Sequence, residues 1–159
     1  MNTIYLLLGS NIGDPVKHLS GAKKNIEKEI GAITKFSGIY KTAAWGNEKQ
    51  PDFLNQIIIA RTRYTAQQTI TKILSIEKEM GRIRSKKNAP RIIDIDILFF
   101  NDEIIHTPDL IVPHPEIQNR RFVLVPLNEL SSDMIHPVLQ KTICELLEDC
   151  ADKLNVQKI

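Results

Sequence analysis

The chain has 159 residues, a hydrophobic fraction of 42% and a formal net charge of +2. These values are typical of a soluble globular protein with a sizeable core, and we expect residues 1–159 to form a single domain. They exclude a protein that coats nucleic acid through bulk positive charge, although a local cationic site is compatible with them.

The first two predicted elements are a strand and a helix. Residues 2–9 form an apolar run, which predicts a buried strand. Apolar residues then recur at helical spacing over residues 15–30, where Asp14 can act as the N-cap and Pro15 as the first helical residue. Gly31 ends the predicted helix.

Two strands and a second helix follow. Residues 33–42 and 53–62 have the composition of strands, and a loop over residues 43–52 separates them. Residues 66–80 predict a helix that is closed by Gly81. The residues that we expect this helix to bury are Ile70, Ile73, Leu74 and Ile76.

The next predicted strand carries charge in an apolar setting. Residues 90–100 contain Asp94 and Asp96 among isoleucines, leucine and phenylalanines. Because side chains alternate along a strand, both carboxylates project from one face and the isoleucines from the other. Asp is depleted in strands, so this pair calls for a chemical explanation.

The order strand-helix-strand-strand-helix-strand predicts an α+β fold. We expect a ferredoxin-like βαββαβ antiparallel sheet with both helices on one face, which leaves the other face free for a site. The rest of the chain is expected to add a hairpin around residues 101–103, and helices around residues 120–130 and 142–149.

Targeting and redox features predict a cytoplasmic protein. The N-terminal residues lack the basic start of a signal peptide, and no apolar run approaches the length of a membrane span. Cys144 and Cys150 have the spacing of neither a metal site nor a secreted disulfide framework. We therefore expect reduced cysteines and no membrane partner.

Asp94 and Asp96 have the chemistry of a magnesium site. Two carboxylates this close disfavour joint ionisation unless a cation lies between them. Proteins bind Mg²⁺ through one or two carboxylates, waters and substrate phosphates, so the pair favours nucleotide chemistry. The alternative is the solvated face of an amphipathic strand, which the pair alone does not exclude.

A cationic segment leads into this strand. Residues 82–91 contain five Lys and Arg residues and have no hydrophobic periodicity. Guanidinium groups match phosphate oxygens, so the segment can hold a polyphosphate. A run of charge in isolation is more typical of a solvated loop, but its position beside Asp94 favours the phosphate site.

Aromatic and amide side chains indicate a pocket for a flat heterocycle. Residues 40–46 and 50–55 combine aromatic rings with Thr, Gln and Asn side chains around a loop. Residues 113–114 place a histidine after a proline, and residues 119–122 add two cations and a ring. A single aromatic is more typical of a core. We interpret as structural the other histidines, His18, His106 and His136.

Taken together, these motifs resemble those of the 6-hydroxymethyl-7,8-dihydropterin pyrophosphokinases of folate biosynthesis. The resemblance covers essentially the whole chain, through the ordered motifs Leu8–Asp14, Tyr40–Thr42, Phe53–Asn55, Glu77, Gly81–Arg84, Pro90–Ile97, Pro113–His114 and Asn119–Phe122. It implies transfer of the terminal diphosphate of ATP to the hydroxymethyl group of the pterin, with release of AMP. It also implies two Mg²⁺ ions and a monomer whose partners are small molecules, not nucleic acid.

The same resemblance implies roles for individual residues. The expected catalytic residues are Arg82, Arg91, Asp94 and Asp96, of which Asp94 and Asp96 would ligate the metal ions. The expected ATP-binding residues are Glu77, Arg82, Arg84, Arg91, Ile97, Ile111, His114 and Arg120. The expected pterin-binding residues are Thr42, Ala43, Trp45, Phe53, Asn55, Asp94 and Phe122.

Other function classes stay open from the residues alone. A two-metal nucleotidyltransferase also combines a Gly-Ser turn with an Asp-X-Asp pair, but there the two lie close in sequence, whereas Ser10 and Asp94 are far apart. A ferredoxin-like RNA-binding module could use the basic segment, although the carboxylates would repel a phosphate backbone unless metal is present. A P-loop kinase is disfavoured because residues 9–13 do not begin a GxxxxGK(S/T) motif.

Overall fold

The structure is a computed structural model that describes residues 1–43, 49–82 and 91–159. Its strands are β1 Asn2–Ser10, β2 Gly31–Phe36, β3 Tyr40–Thr42, β4 Phe53–Thr62, β5 Asp94–Phe100, β6 Ile105–His106, β7 Ile111–Val112 and β8 Gln157–Lys158. Its helices are α1 Pro15–Glu29, α2 Ala66–Glu79, α3 Arg121–Ser131 and α4 Ile143–Asp149, with a 3-10 turn at Ile117–Asn119.

The main sheet is antiparallel and has β1 near its centre. Its strands follow the order β5, β1, β4, β3 and β8, and β2 also pairs with β4. β1 and β4 are in register from Asn2 opposite Thr62 to Ser10 opposite Leu54. The predicted combination of helices with an antiparallel sheet is therefore confirmed.

Helices α1 and α2 pack on one face of this sheet. Asp14 accepts a hydrogen bond from Lys17 N at 3.2 Å, and Thr65 forms a capping box with Gln68 at the start of α2. Each cap satisfies backbone N–H groups that the first helical turn leaves unpaired. The predicted first helical residue, Pro15, is confirmed. The core on this side includes Ile4, Leu6, Leu8, Leu19, Ile26, Ile58, Ile73, Ile76, Ile95 and Ile97.

Helices α3 and α4 cover much of the opposite face, so the expectation that this face is free is wrong. The alternation of β1 and β4 leaves the apolar Leu7 and Ile57 on this side, and they require cover. A register shift adds one residue to β5, so that Leu98 and Phe99 both join the second core. The helices supply Val123, Leu124, Leu127, Ile143 and Leu146, and Ile117 and Cys150 from the adjoining segments complete the core.

Three details of the predicted elements are corrected. The strand predicted over residues 33–42 is divided into β2 and β3 around Ser37. Ser37 N donates to Ile57 O at 2.8 Å, but Ile57 N donates to the Ser37 side chain, Oγ, at 3.0 Å and not to its carbonyl. Leu74 is 45% exposed, since the buried stripe of α2 follows Thr69, Ile73 and Ile76. The turn after β5 exists, but β6 pairs with β7, so no hairpin with β5 forms.

The predicted C-terminal helices are confirmed, with small shifts of their ends. α4 starts after Thr142, whose side chain forms a capping box with Glu145. α3 starts after Arg120, which provides no side-chain cap. In the described ranges, no helix combines the length and apolar character that a membrane span needs.

His136 is expected to make the stability of the second core depend on pH. It is 4% exposed, and its Nδ1 accepts hydrogen bonds from Val138 N at 3.2 Å and Leu139 N at 3.1 Å. Burial lowers its pKa below the ordinary value of 6.5. Below that pH the unfolded chain binds a proton that the folded chain does not. The free energy of unfolding is therefore expected to fall as the pH drops below about 6.5.

This prediction can be checked by denaturant unfolding between pH 7.5 and 5.5. His136→Asn should lose part of the acid destabilisation, because an amide does not titrate. His106→Gln is the matched control, since His106 is exposed on β6. Equal pH dependence in wild type and both variants would contradict the assignment to His136.

Candidate active site

The candidate site is built around a glycine of the central strand. Gly9 pairs with Asn55 of β4 on one side and with Asp94 of β5 on the other. Directly opposed residues of antiparallel strands point to the same face, so an amide and a carboxylate flank a position without a side chain. A Cβ at Gly9 would lie 2.9 Å from Asn55 Oδ1 and 3.8 Å from Phe53 Cδ1. The backbones of β4 and β5, on either side of Gly9, are two strand spacings apart, about 10 Å.

The amide side of the gap is formed by β3 and β4. Asn55 is 3% exposed, and its Nδ2 donates to Thr42 Oγ1 at 3.4 Å. Thr42 also lies opposite Phe53, which is half-buried. Three of the predicted pterin-binding residues are thus brought together here. Ala43 follows directly after β3, while Trp45 lies outside the described residues.

The carboxylate side is held by two arginines. Arg82 Nη1 donates to Glu77 Oε2 at 2.6 Å and to Asp94 Oδ1 at 2.7 Å. Arg91 Nη1 donates to the other oxygen of Asp94, Oδ2, at 3.3 Å. Glu77 is 2% exposed and also accepts from Ile95 N at 2.8 Å. Helix α2 is therefore fastened to β5 at the level of the Asp94 carboxylate.

Asp96 is in a different electrostatic environment. Within residues 1–43, 49–82 and 91–159, no side chain or backbone group makes a hydrogen bond or ion pair with its carboxylate. Burial raises the pKa of Asp96 to about 7, and the charges of Asp94 and Glu77 add to the rise. Negative charge at this point is incompletely balanced, so an added cation would favour the ionised carboxylate.

His114 lies beside β5 and is neutral at pH 7. Its backbone N–H donates to Leu98 O at 3.0 Å, which fixes it next to the strand. Nδ1 accepts from Glu116 N at 3.1 Å, so the ring proton is on Nε2. Burial lowers the pKa of His114, and the charge of Arg120 lowers it further. The imidazole can therefore donate a hydrogen bond from Nε2 without carrying charge.

Arg120 and Phe122 flank the start of α3. The Arg120 guanidinium lies 5.8 Å from the centroid of the Phe122 ring. The charge of Arg120 also lowers the pKa values of Asp96 and His114, which places it within electrostatic reach of both. The structure thus brings Arg120 and His114 to the carboxylate side of the site.

Other predicted residues lie elsewhere or outside the described ranges. Ile97 is 3% exposed and belongs to the core under α1 and α2, on the sheet face opposite to Asp96. Ile111 of β7 is 40% exposed. Arg84 belongs to residues 83–90, which lie outside the described residues.

Metal-binding capacity at the site comes from few side chains. In the described part of the chain, no group of three or more His, Cys, Asp or Glu side chains could hold a metal ion. A magnesium ion that keeps several waters and binds substrate phosphates needs only one or two protein carboxylates. Asp94 and Asp96 meet that smaller requirement, and the raised pKa of Asp96 fits a missing positive charge.

Sequence reasoning missed the role of Asn11. This residue follows β1 and is 1% exposed. Its Oδ1 accepts from Arg91 N at 2.7 Å, and its Nδ2 donates to Gln50 Oε1 at 3.0 Å and Pro51 O at 3.3 Å. Asn11 therefore ties together the segments that precede β4 and β5. An amide directly after a buried strand was the available signal.

Comparison with known proteins identifies the family. The family model described as 7,8-dihydro-6-hydroxymethylpterin-pyrophosphokinase (HPPK) matches residues 5–132. The chain belongs to this family. A 2-amino-4-hydroxy-6-hydroxymethyldihydropteridine pyrophosphokinase of Aquifex aeolicus (strain VF5) is 43% identical over 145 residues, which cover 91% of this chain and 90% of the relative. The corresponding pyrophosphokinase of Haemophilus influenzae is 37% identical over 153 residues, with 96% and 95% covered.

Solved structures agree with this pyrophosphokinase family at the level of fold. A crystal structure of Plasmodium falciparum HPPK-DHPS superposes with a TM-score of 0.78 at 20% identity. The match covers 92% of this chain but 45% of that longer chain. Family membership makes the present chain a transferase of the pyrophosphokinase class, and neither a nucleotidyltransferase nor an RNA-binding module is favoured.

Proposed function

We propose that this chain transfers the β,γ-diphosphate of ATP to the hydroxymethyl group of 6-hydroxymethyl-7,8-dihydropterin. The products are AMP and the pterin diphosphate, in a step of folate biosynthesis. Family membership supports the reaction. The observation that carries the site assignment is the row of Asn55, Gly9 and Asp94, which puts an amide and a carboxylate on opposite sides of an open strand position.

The pterin is proposed to lie over Gly9, with its hydroxymethyl group toward Asp94. Asn55 and Thr42 would pair with its donor and acceptor edge, and Phe53 and Phe122 would stack on its ring faces. Ala43 and Trp45 would contribute from the segment after β3. A ring with the wrong hydrogen-bonding edge would leave the buried Asn55 amide unpaired, which is costly and gives selectivity.

A pterin position over Gly9 predicts that Gly9→Ala weakens pterin binding. The new methyl group would lie 2.9 Å from Asn55 Oδ1 and displace the amide from the sheet surface. We expect the KM for the pterin to rise by about tenfold or more, with a smaller change in the KM for ATP. Gly21→Ala on α1 is the matched control, because its Cβ would be 3.5 Å from the flexible end of Met80. Equal pterin KM values for the two variants would contradict this position of the pterin.

Asp94 and Asp96 are proposed to hold two Mg²⁺ ions together with the phosphates of ATP. When bound, the ions would neutralise phosphate charge during the transfer. Asp94 accepts from Arg82 and Arg91, which orients its carboxylate beside the acceptor hydroxyl. In-line attack on the β-phosphorus requires this hydroxyl to be positioned, and orientation alone can lower the barrier substantially.

The remaining polar groups are proposed to serve the nucleotide. Arg84, Arg91 and Arg120 would balance phosphate charge, and the neutral His114 would donate from Nε2 to a phosphate oxygen. Ile111, which is 40% exposed on β7, would flank the adenine, whereas the burial of Ile97 in the core leaves it no side-chain role there. The buried Glu77 would act through Arg82, whose Nη1 donates to Glu77 at 2.6 Å and to Asp94 at 2.7 Å.

The topology of the core and the oligomeric state and location of the chain are also proposed. The strand order β5, β1, β4, then β2 and β3, with α1 and α2 on one face, supports a ferredoxin-like core. We infer that the chain functions as a single-domain cytoplasmic monomer, with no nucleic acid as a partner.

The function is tested by incubating the protein with ATP, Mg²⁺ and 6-hydroxymethyl-7,8-dihydropterin. AMP should accumulate only when the pterin is present, and ADP should not. Release of pyrophosphate or labelling of an acceptor by the nucleotide moiety would favour the nucleotidyltransferase instead. Absence of pterin-dependent AMP from folded protein would overturn the proposal.

A further inference from the structure

The C-terminal residues 150–159 pass along α3 and end beside β3. The family model matches residues 5–132, so this segment lies beyond the matched region. We propose that residues 152–158 form a positioning strap, which sets the separation of Phe122 on α3 and Thr42 on β3, the two walls of the pterin pocket. This inference rests on the proposed function.

Asp152 supplies the cap that α3 lacks within its own sequence. The N-cap residue, Arg120, makes no side-chain capping bond. Instead Asp152 Oδ2 accepts from Arg121 N at 3.0 Å, while its Oδ1 accepts from Leu154 N at 3.0 Å. A carboxylate at a helix N-terminus satisfies an unpaired N–H and interacts favourably with the helix dipole. Because Phe122 lies in this first turn, its position depends on the strap.

The other end of the strap completes the edge of β3. Lys158 pairs with Tyr40 and Gln157 with Lys41 in the antiparallel ladder, and Ile159 N donates to Ile39 O at 3.0 Å. β3 is only three residues long, so it gains much of its order from its two neighbours. A Cβ at Gly38 would lie 2.3 Å from Lys158 Cε, which reflects how closely the strap crosses the chain before β3.

Glu129 of α3 joins the strap to both walls. Its carboxylate accepts from Tyr40 Oη at 2.5 Å and from Gly38 N at 3.1 Å, and lies 3.2 Å from Lys158 Nζ. Burial raises the pKa of Tyr40 to about 12, with a further contribution from Glu129. Tyr40 therefore stays a hydrogen-bond donor at neutral pH. Helix α3, strand β3 and the strap meet at this one carboxylate.

Loss of these contacts is predicted to raise the KM for the pterin more than the KM for ATP. Loosening the first turn of α3 displaces Phe122, and loosening β3 displaces Thr42. Among the proposed phosphate-binding arginines, Arg120 adjoins the α3 wall, whereas Arg91 precedes β5 and lies on neither wall. Loss of a helix cap corresponds to roughly a fivefold change in an equilibrium constant. We therefore expect Asp152→Ala to raise the KM for the pterin about fivefold, with kcat and the KM for ATP changed less than about twofold.

The test compares Asp152→Ala with a control, Asp149→Ala. In the wild type the Asp149 carboxylate pairs at the surface with Lys141 at 3.1 Å. Asp152→Asn keeps an acceptor oxygen and should restore most of the pterin affinity. Lys158→Ala, with Lys141→Ala as its control, tests the β3 end without touching the helix cap. The two lysine side chains are similarly exposed, 56% and 51%.

Hydrogen exchange provides a second readout. The amide of Arg121 should exchange faster in Asp152→Ala than in Asp149→Ala. The amides of residues 40–42 should exchange faster in Lys158→Ala than in Lys141→Ala. If wild type makes AMP and Asp152→Ala matches Asp149→Ala in pterin KM, the strap is overturned. Equal losses for pterin and ATP would also overturn it, because they indicate general unfolding. If wild type makes no pterin-dependent AMP, it is the proposed function that fails.

Discussion

Asp96→Asn should abolish turnover and at the same time stabilise the folded protein. Burial and the charges of Asp94 and Glu77 raise the pKa of Asp96 to about 7. At pH 8 the folded chain therefore carries a disfavoured negative charge, which the amide removes. In metal-free buffer the free energy of unfolding should rise by roughly 4 kcal/mol relative to wild type, from a shift of about three pKa units. Turnover should fall by about a thousandfold or more, since the proposed metal ligand is lost.

The stability difference between Asp96→Asn and wild type should depend on pH. Between about pH 4 and 7 the folded wild type retains a proton that the unfolded chain has released. The stability of wild type therefore falls as the pH rises through that window, and the advantage of the variant should grow over the same range. Denaturant unfolding at pH 5 and pH 8 measures both values. Asp102→Asn, at an exposed position after β5, is the control. A fully active Asp96→Asn variant would contradict the assignment of Asp96 as a metal ligand.

Arg82→Ala should be the most destabilising substitution in the site. The Arg82 side chain is 10% exposed, and the side chains of its two acidic partners, Glu77 and Asp94, are 3% and 23% exposed. Removal of one member of a buried charge network leaves its partners uncompensated, which costs about 3–5 kcal/mol. Turnover should also fall, because Asp94 loses the closer of its two guanidinium partners.

A second substitution separates these two effects. In Arg82→Ala combined with Glu77→Gln, one buried charge is neutralised, so much of the stability should return while turnover stays low. Arg61→Ala, at an exposed position on β4, is the matched control and should change neither quantity. Thermal unfolding and initial rates measure the two effects. A melting temperature for Arg82→Ala equal to that of Arg61→Ala would contradict the buried network.

The sequence predicted those parts of the fold that depend on local chemistry. Asp14 and Pro15 locate the start of α1, and the alternation around Asp94 and Asp96 locates both carboxylates on one face of β5. The motif series indicates the same family as the model that matches residues 5–132. These signals are short-range, so they can be read without knowing which segments meet in space.

Long-range contacts were not predictable in the same way. The division of the strand at residues 37–39 depends on Ser37 pairing with Ile57, twenty positions later. Helices α3 and α4 cover the sheet because apolar residues of β1 and β4, which are distant in sequence, face them. The connections of Asn11 to Arg91 and of Asp152 to Arg121 join residues that no local pattern relates. Such contacts are set by topology, not by propensity.

The central claim is that a diphosphate, not a single phosphate or a nucleotide, moves from ATP to the pterin. Phosphorus-31 NMR of the reaction mixture with 6-hydroxymethyl-7,8-dihydropterin tests it most directly. We expect AMP in equal amount to a new pterin product with two coupled phosphorus resonances. ADP with a singly phosphorylated pterin, or no pterin-dependent product from folded protein, would contradict it.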